Sequence, residues 1–325
     1  MKRLVPSLVG ALLLISTGAA AFVYSKPRLR PAPVLHIART PERVARGRLL
    51  AEQMCLHCHT PRDEHRWTFF GKDAVGSGGQ CWSEAFGFPG RVCSRNLTSD
   101  RATGVGAWSD GELVRAIREG VSRNGRPLVP LMPYQQFRLM SDADSQAIVA
   151  YLRTLPAQAH AVDEPRLAFP LDIMIRFAPR PLEEPVPEPN FADEREHGEY
   201  LATLRGCKSC HTPHDEHHNP LPGREFAGGA VFQTPWFVTE SANLTPHATG
   251  LGTRTRAQFI ALFRASSNPA LADAVVAPEN NAIMPWLSFA SLTDTELGAI
   301  YAYLSSVPAI ANTPAPRRPA QRVAE

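Results

Sequence analysis

An excess of charge of either sign is missing from this chain. Its 325 residues carry a formal net charge of only +3 at pH 7, so no broad basic surface is available to neutralise nucleic-acid phosphates. Cysteine is scarce, six residues in all, and so is methionine, also six. Each can therefore be accounted for individually. Long apolar stretches are nearly absent, which leaves one candidate membrane span, at the N-terminus. What the chain does have in quantity is proline, thirty residues. They concentrate in a central stretch and at the tail. The length suits two domains of about 120 residues each plus linkers, and ordinary apolar content supplies a core for each.

The N-terminal run extends from Leu4 to Tyr24, preceded by Lys2 and Arg3 and followed by Lys26, Arg28 and Arg30. Two readings stand. A signal peptide could be cut near Ala19-Ala20-Ala21. An uncut anchor is favoured by Phe22, Val23 and Tyr24, which prolong the run past the small residues and place a Tyr before the basic flank. In either case the N-terminus faces the cytoplasm and the remainder is exported.

Two short stretches organise everything downstream: Cys55-Leu56-His57-Cys58-His59 and Cys207-Lys208-Ser209-Cys210-His211. Each is Cys-x-x-Cys-His, the attachment pattern of c-type haem. Thiols three positions apart on one helical turn reach the two vinyl groups of one porphyrin. The following imidazole then serves as the proximal iron ligand. A redox dithiol needs only one pair and no fixed His. A zinc site built from both pairs would leave both histidines without a role.

The second half repeats the first. Cys58-His59-Thr60-Pro61 returns as Cys210-His211-Thr212-Pro213, and Asp63-Glu64-His65 as Asp215-Glu216-His217. Asn96-Leu97-Thr98 returns as Asn243-Leu244-Thr245, and Met132-Pro133 as Met284-Pro285. In the first half, a helix is expected from Pro41 into Cys55, with Val44, Leu49, Leu50 and Met54 on its apolar side. A second is expected over Asp110 to Gly120, with Ser109 and Glu112 as a capping box, and a last one from Ser141 to Leu155. Thr293 with Glu296 should open the equivalent last helix of the second half. Gly71 to Gly90 reads as an irregular loop. Pro156 to Asn190 reads as a semi-stiff connector packed as a strap.

Met132 and Met284 each lie 73 residues beyond their motif histidine, and each precedes Pro and an aromatic residue, Tyr134 or Trp286. Proline helps hold an extended loop, and a thioether is a suitable sixth ligand that raises the potential of c-type iron. Met140 has no counterpart at the same shift, and Met54 adjoins Cys55 on the proximal side. Cys81, Cys93, His65 and His217 are further rivals. An oxidising compartment favours bridging Cys81 to Cys93, and the repeated Asp-Glu-His is read as a duplicated surface segment. Trp67, Trp82, Trp108, Trp236 and Trp286 are read as core or haem-wall residues.

On these residues the chain resembles the two-haem class I cytochromes c of bacteria, over about 42–156 and 193–308. The Asn-Leu-Thr segments, followed by Thr103-Gly104-Val105-Gly106 and Thr249-Gly250-Leu251-Gly252, are similar to the cytochrome c subunits of membrane-bound sugar and alcohol dehydrogenases. Those often carry three haems where this chain has two motifs. The resemblance implies an all-α tandem of two helical domains, 41–156 and 191–308. A signal or anchor segment at 1–30, a connector at 157–190 and a disordered tail at 309–325 complete the chain. It implies two covalent haem c groups, on Cys55 and Cys58 and on Cys207 and Cys210, with His59, Met132, His211 and Met284 as iron ligands and no catalytic residue. It further implies electron transfer with redox protein partners (a dehydrogenase, an oxidase or a quinone-linked complex) on the periplasmic side of the inner membrane, or in the periplasm if the leader is cut. The alternative is a two-haem enzyme, a peroxidase or a thiosulfate dehydrogenase.

Overall fold

A computed structural model describes Gly18, residues 30–69 and residues 71–320. The expected leader or anchor, apart from Gly18, lies outside these residues. Among the described residues no helix is long and apolar enough to cross a membrane.

The chain is largely helical, and its helices are laid out around two crossings. A leading helix, Pro41–Met54, starts where the Thr40 side chain accepts from the Arg43 N–H, with Pro at its first position. It buries Gly47, Leu50, Ala51 and Met54, the spacing of one helical stripe. Leu49, expected on that side, is 45 % exposed, because the stripe is set by Gly47 and passes it by. The closing helix, Asp142–Leu152, is capped by Ser141 and packs across the leading helix at Gly47. A Cβ on Gly47 would stand 1.8 Å from the Ala147 carbonyl oxygen. Between them in sequence, Asp110–Glu119 has the expected Ser109/Glu112 capping box and ends at Gly120, with φ of 72°.

The same arrangement recurs downstream. Helix Glu194–Leu204, capped by Asp193, crosses Asp294–Ser306, which opens with the expected Thr293/Glu296 box. Gly198 marks the crossing, its Cβ position 1.9 Å from the Ala299 carbonyl oxygen. Gly198 is one residue further from its motif than Gly47 is. The added residue is absorbed just before Cys207 by Gly206, at φ of 69°. A third helix, Arg256–Ala265, begins with a Thr255/Gln258 capping box that the sequence reading did not single out.

Two small antiparallel sheets are added, which an all-α reading did not contain. Cys81–Trp82, Gly90–Cys93 and Arg166–Leu167 form one; Val231–Gln233, Phe237–Glu240 and Arg318–Pro319 form the other. Strands this short show no alternation by which to recognise them, and the third strand of each comes from far along the chain. The loop 71–90, expected to be irregular, thus contributes strand residues. Within it, Cys81 sits opposite Cys93 in register and the two form a disulfide. Replacing both by alanine should lower stability by about 3 kcal/mol through the freed unfolded loop. Urea denaturation of the two proteins, together with a thiol titration finding neither sulfur free, checks this.

The connector runs along the first half. Arg138 donates to the carbonyls of Arg180 and Pro181, and the Asp142 N–H donates to the Val186 carbonyl, 2.9 Å. The tail corrects an expectation. Its Pro-, Ala- and Arg-rich composition suggested disorder, yet residues 309–320 are held. Asn243 and Thr245 side chains grip the Ile310 carbonyl, Arg318–Pro319 pairs with Phe237–Val238, and Arg317 lies over the Phe237 ring. Backbone acceptors and a ring face, which composition does not report, fix it there.

The halves share one apolar core and meet through polar contacts as well. Tyr200 donates to Asp144, 2.8 Å, and accepts from the Ser141 N–H. Asn281, fully buried, accepts from the Thr68 N–H and donates to the carbonyls of Glu64 and Arg66.

Candidate functional site

Each motif is wound into a helical turn immediately after its leading helix, at Leu56–His59 and Cys207–Cys210. The turns are closed by the His59 N–H on the Cys55 carbonyl, 3.0 Å, and the His211 N–H on the Cys207 carbonyl, 2.9 Å. The four motif cysteines are free thiols. Burial pushes Cys55, Cys58 and Cys207 up to about 12, so the free thiols stay protonated at neutral pH. Among the described residues no group of three or more His, Cys, Asp or Glu side chains is placed to hold a metal ion by itself.

The imidazoles are oriented identically. His59 Nδ1 lies 2.7 Å from the Arg95 carbonyl oxygen and His211 Nδ1 lies 2.8 Å from that of Ala242. A carbonyl only accepts, so Nδ1 carries the proton and Nε2 is left with its lone pair. Burial lowers both pKa values, which favours the neutral ring. These orienting carbonyls were not found from sequence, because any residue type supplies one.

A signal for them was nevertheless present. Arg95 and Ala242 each directly precede an Asn-Leu-Thr segment. The Asn96 side chain accepts from the Thr98 N–H and hydroxyl, at 2.9 and 2.6 Å, and donates to Thr103 Oγ1 and the Gln158 carbonyl, at 3.2 and 2.8 Å. Asn243 repeats the set with Thr245, Thr249 and Ile310. The clamp therefore ties the stretch holding the His-orienting carbonyl to the extended segment that leaves the closing helix. Gly78 and Gly228, at φ of 75° and 73°, let that stretch approach: a Cβ on either would stand 2.5 Å from the backbone of Arg95 or Ala242.

Met132 and Met284 both sit half-buried against the core. Each is followed by a proline in the same non-helical turn, Pro133 at φ −80° and ψ 49° and Pro285 at φ −79° and ψ 66°. The rivals are placed otherwise. Met140 and Met54 are core residues at 0 % and 5 % exposure, and Cys81 and Cys93 are spent on each other. Asp63 and Asp215 accept from the N–H groups of His65 and His217, at 3.1 and 2.8 Å. The repeated Asp-Glu-His is thus a solvated turn, with the aspartate as its cap.

A haem c fits this donor set: paired protonated thiols, a neutral imidazole with a free Nε2, and a thioether. Buried donors without protein partners add to the fit, since a haem carries two carboxylates. They include Arg62 Nε and Nη1 and Trp67 Nε1.

Comparison with known proteins agrees. The cytochrome c family model matches residues 196–308. A nicotinate dehydrogenase subunit of Pseudomonas putida is 34 % identical over 57 % of this chain and 15 % of its own length. The cytochrome c subunit of the quinone-dependent alcohol dehydrogenase of Gluconacetobacter polyoxogenes is 30 % identical over 68 % of this chain and 49 % of its own. A diheme cytochrome c-type protein of Cereibacter sphaeroides is 29 % identical over 93 % of this chain and 97 % of its own. The chain thus spans less than half the length of the first two.

Proposed function

Since the chain is a cytochrome c that resembles the cytochrome c subunits of dehydrogenases, we propose that it is a two-haem electron carrier with no substrate chemistry of its own. The observation that carries this reading is the duplicated setting: each motif His tied through Nδ1 to the carbonyl preceding an Asn-Leu-Thr clamp, and each half carrying a Met-Pro turn. Cys55 and Cys58 would hold one haem, and Cys207 and Cys210 the other, each thiol adding its S–H across a vinyl group. His59 and His211 would supply Nε2, and Met132 and Met284 a sulfur. When bound, haem c supplies a one-electron ferric–ferrous couple. The residues do the rest. The carbonyl–imidazole bonds fix each ring's tautomer and direction, and an imidazole nitrogen together with a thioether sulfur would leave no open place for a substrate at either group.

By analogy with the relatives' names, the donor is a dehydrogenase. The acceptor is a quinone-linked complex or an oxidase. The protein works on the periplasmic side of the inner membrane, held by the Leu4–Tyr24 run, or free in the periplasm if that run is removed. A two-haem peroxidase or thiosulfate dehydrogenase is the competing reading. The Cys81–Cys93 bridge weighs against the thiosulfate dehydrogenase with a distal cysteine, because it withdraws both sulfurs from that role. Turnover of peroxide or thiosulfate by the isolated, fully loaded protein would establish the competitor.

Met132→Leu and Met284→Leu test the ligand assignment. Each should abolish one of two methionine-to-ferric charge-transfer bands and lower the potential of that haem alone. Absorption spectra and redox titrations unchanged from the parent would reject the assignment.

A further inference from the structure

The chain leading to Met284 reaches into the first half. Met284 lies 19 residues beyond the end of helix Arg256–Ala265, whereas Met132 lies 13 beyond the end of Asp110–Glu119. The longer stretch spans the gap between the halves. The Val276 N–H donates to the His65 carbonyl, 2.8 Å, and Val275 pairs with Arg66 in an antiparallel bridge. Arg66 Nη1 donates to the Ala272 carbonyl, 2.9 Å.

The contact nearest the sulfur is made by Asn281, three residues before Met284 and 0 % exposed. A carboxamide both donates and accepts. Its oxygen takes the Thr68 N–H at 2.5 Å, and its nitrogen serves the carbonyls of Glu64 and Arg66. The same oxygen accepts from the Ala282 N–H, 2.8 Å, which turns the chain toward Met284. Val129, also buried, stands three residues before Met132. There the turn closes on itself, the Met132 N–H donating to the Val129 carbonyl at 3.1 Å. The Asn281 carbonyl is given to Arg317 Nη1, 2.6 Å. Beyond Met284 the chain enters the one-turn helix Trp286–Ala290. The span that carries the sulfur is thus pinned on one side by its own half and on the other by the first half. Other bonds between the halves, Tyr200 to Asp144 and Arg205 to the Gln53 side chain, act on the crossing helices and their ends.

Resting on the assignment of Met284 as an iron ligand, we propose that Asn281 is a positioning residue through which the first half holds the thioether of the second haem in place. A thioether is neutral and has no charge to draw it to ferric iron. How fully it stays bound therefore depends on how well its loop is held in the bound conformation. The sixth ligand of the second haem is in this way a property of the joined halves, while that of the first is set within its own half.

The test uses the full chain matured with haem and carrying Met132→Leu, so that the one methionine-to-ferric band left belongs to Met284. In that background Asn281→Ala or Arg66→Ala should weaken the band and lower the potential of the haem that shows it. The concentration of added imidazole that abolishes the band should fall about tenfold, the scale of one lost buried hydrogen bond. Tyr200→Phe, which removes a bond between the halves away from this loop, should leave both readings as they were. A band and an imidazole midpoint unchanged in the Asn281 and Arg66 variants would overturn the proposal, as would an equal change in Tyr200→Phe. If Asn281→Ala fails to fold, Arg66→Ala decides. A Met132→Leu protein with no methionine band at all would instead refute the assignment of Met284 beneath the proposal.

Discussion

Chains in which Cys207 and Cys210 are both alanine should mature with one haem equivalent, not two and not none. The first half carries its own complete set of supports. The leading and closing helices cross at Gly47. The Asn96 clamp holds the Arg95 carbonyl on His59, and the Met132 turn follows within the same half. None of these bonds passes through the second motif. The reciprocal change, Cys55 and Cys58 to alanine, should leave the other haem for the same reason, since Asn243 and the Ala242 carbonyl serve His211 alone. Both variants should be less stable than the parent, because the halves share one core and the Tyr200–Asp144 and Asn281 contacts. Mass spectrometry and pyridine-haemochrome spectra read the stoichiometry directly. Loss of both haems from either variant would show that the attachment sites do not form independently.

Gly47→Ala and Gly198→Ala should each be strongly destabilising, although helix propensity alone predicts the opposite. Alanine in place of a mid-helix glycine gains about 1 kcal/mol. Here the added methyl would stand 1.8 or 1.9 Å from a carbonyl oxygen of the crossing helix. That atom belongs to a helical backbone and has no rotamer by which to escape, so the two helices must separate along their crossing. Overpacking of a well-filled core costs about 1–3 kcal/mol. A clash with backbone belongs at or above the upper end, which outweighs the propensity gain. Denaturant unfolding followed by far-ultraviolet circular dichroism should therefore show a net loss. A gain of stability at either position would mean that the helices do not cross there.

Sequence reading reached the parts of this protein whose chemistry is written in side chains. The motif cysteines and histidines, the Met-Pro pairs, the capping residues Ser109 and Thr293 and the recurrence of the Asn-Leu-Thr segment could all be read from residue type and spacing. What escaped is carried by backbone. The carbonyls of Arg95 and Ala242 have no residue code. The strands Cys81–Trp82 and Arg318–Pro319 are two residues long and leave no periodic trace. The tail is ordered by acceptors supplied to side chains about 65 residues earlier. Leu49 fell outside the buried stripe because a glycine, invisible to an apolar-residue count, set its direction. The Gln53–Arg205 contact joins residues far apart in the chain, and neither member belongs to a motif.

The most direct measurement is the pyridine-haemochrome content of the full chain purified from a host that matures c-type cytochromes. Two covalent haems per polypeptide, removed one at a time with each Cys pair, is the predicted result. A single haem, or none, would contradict it.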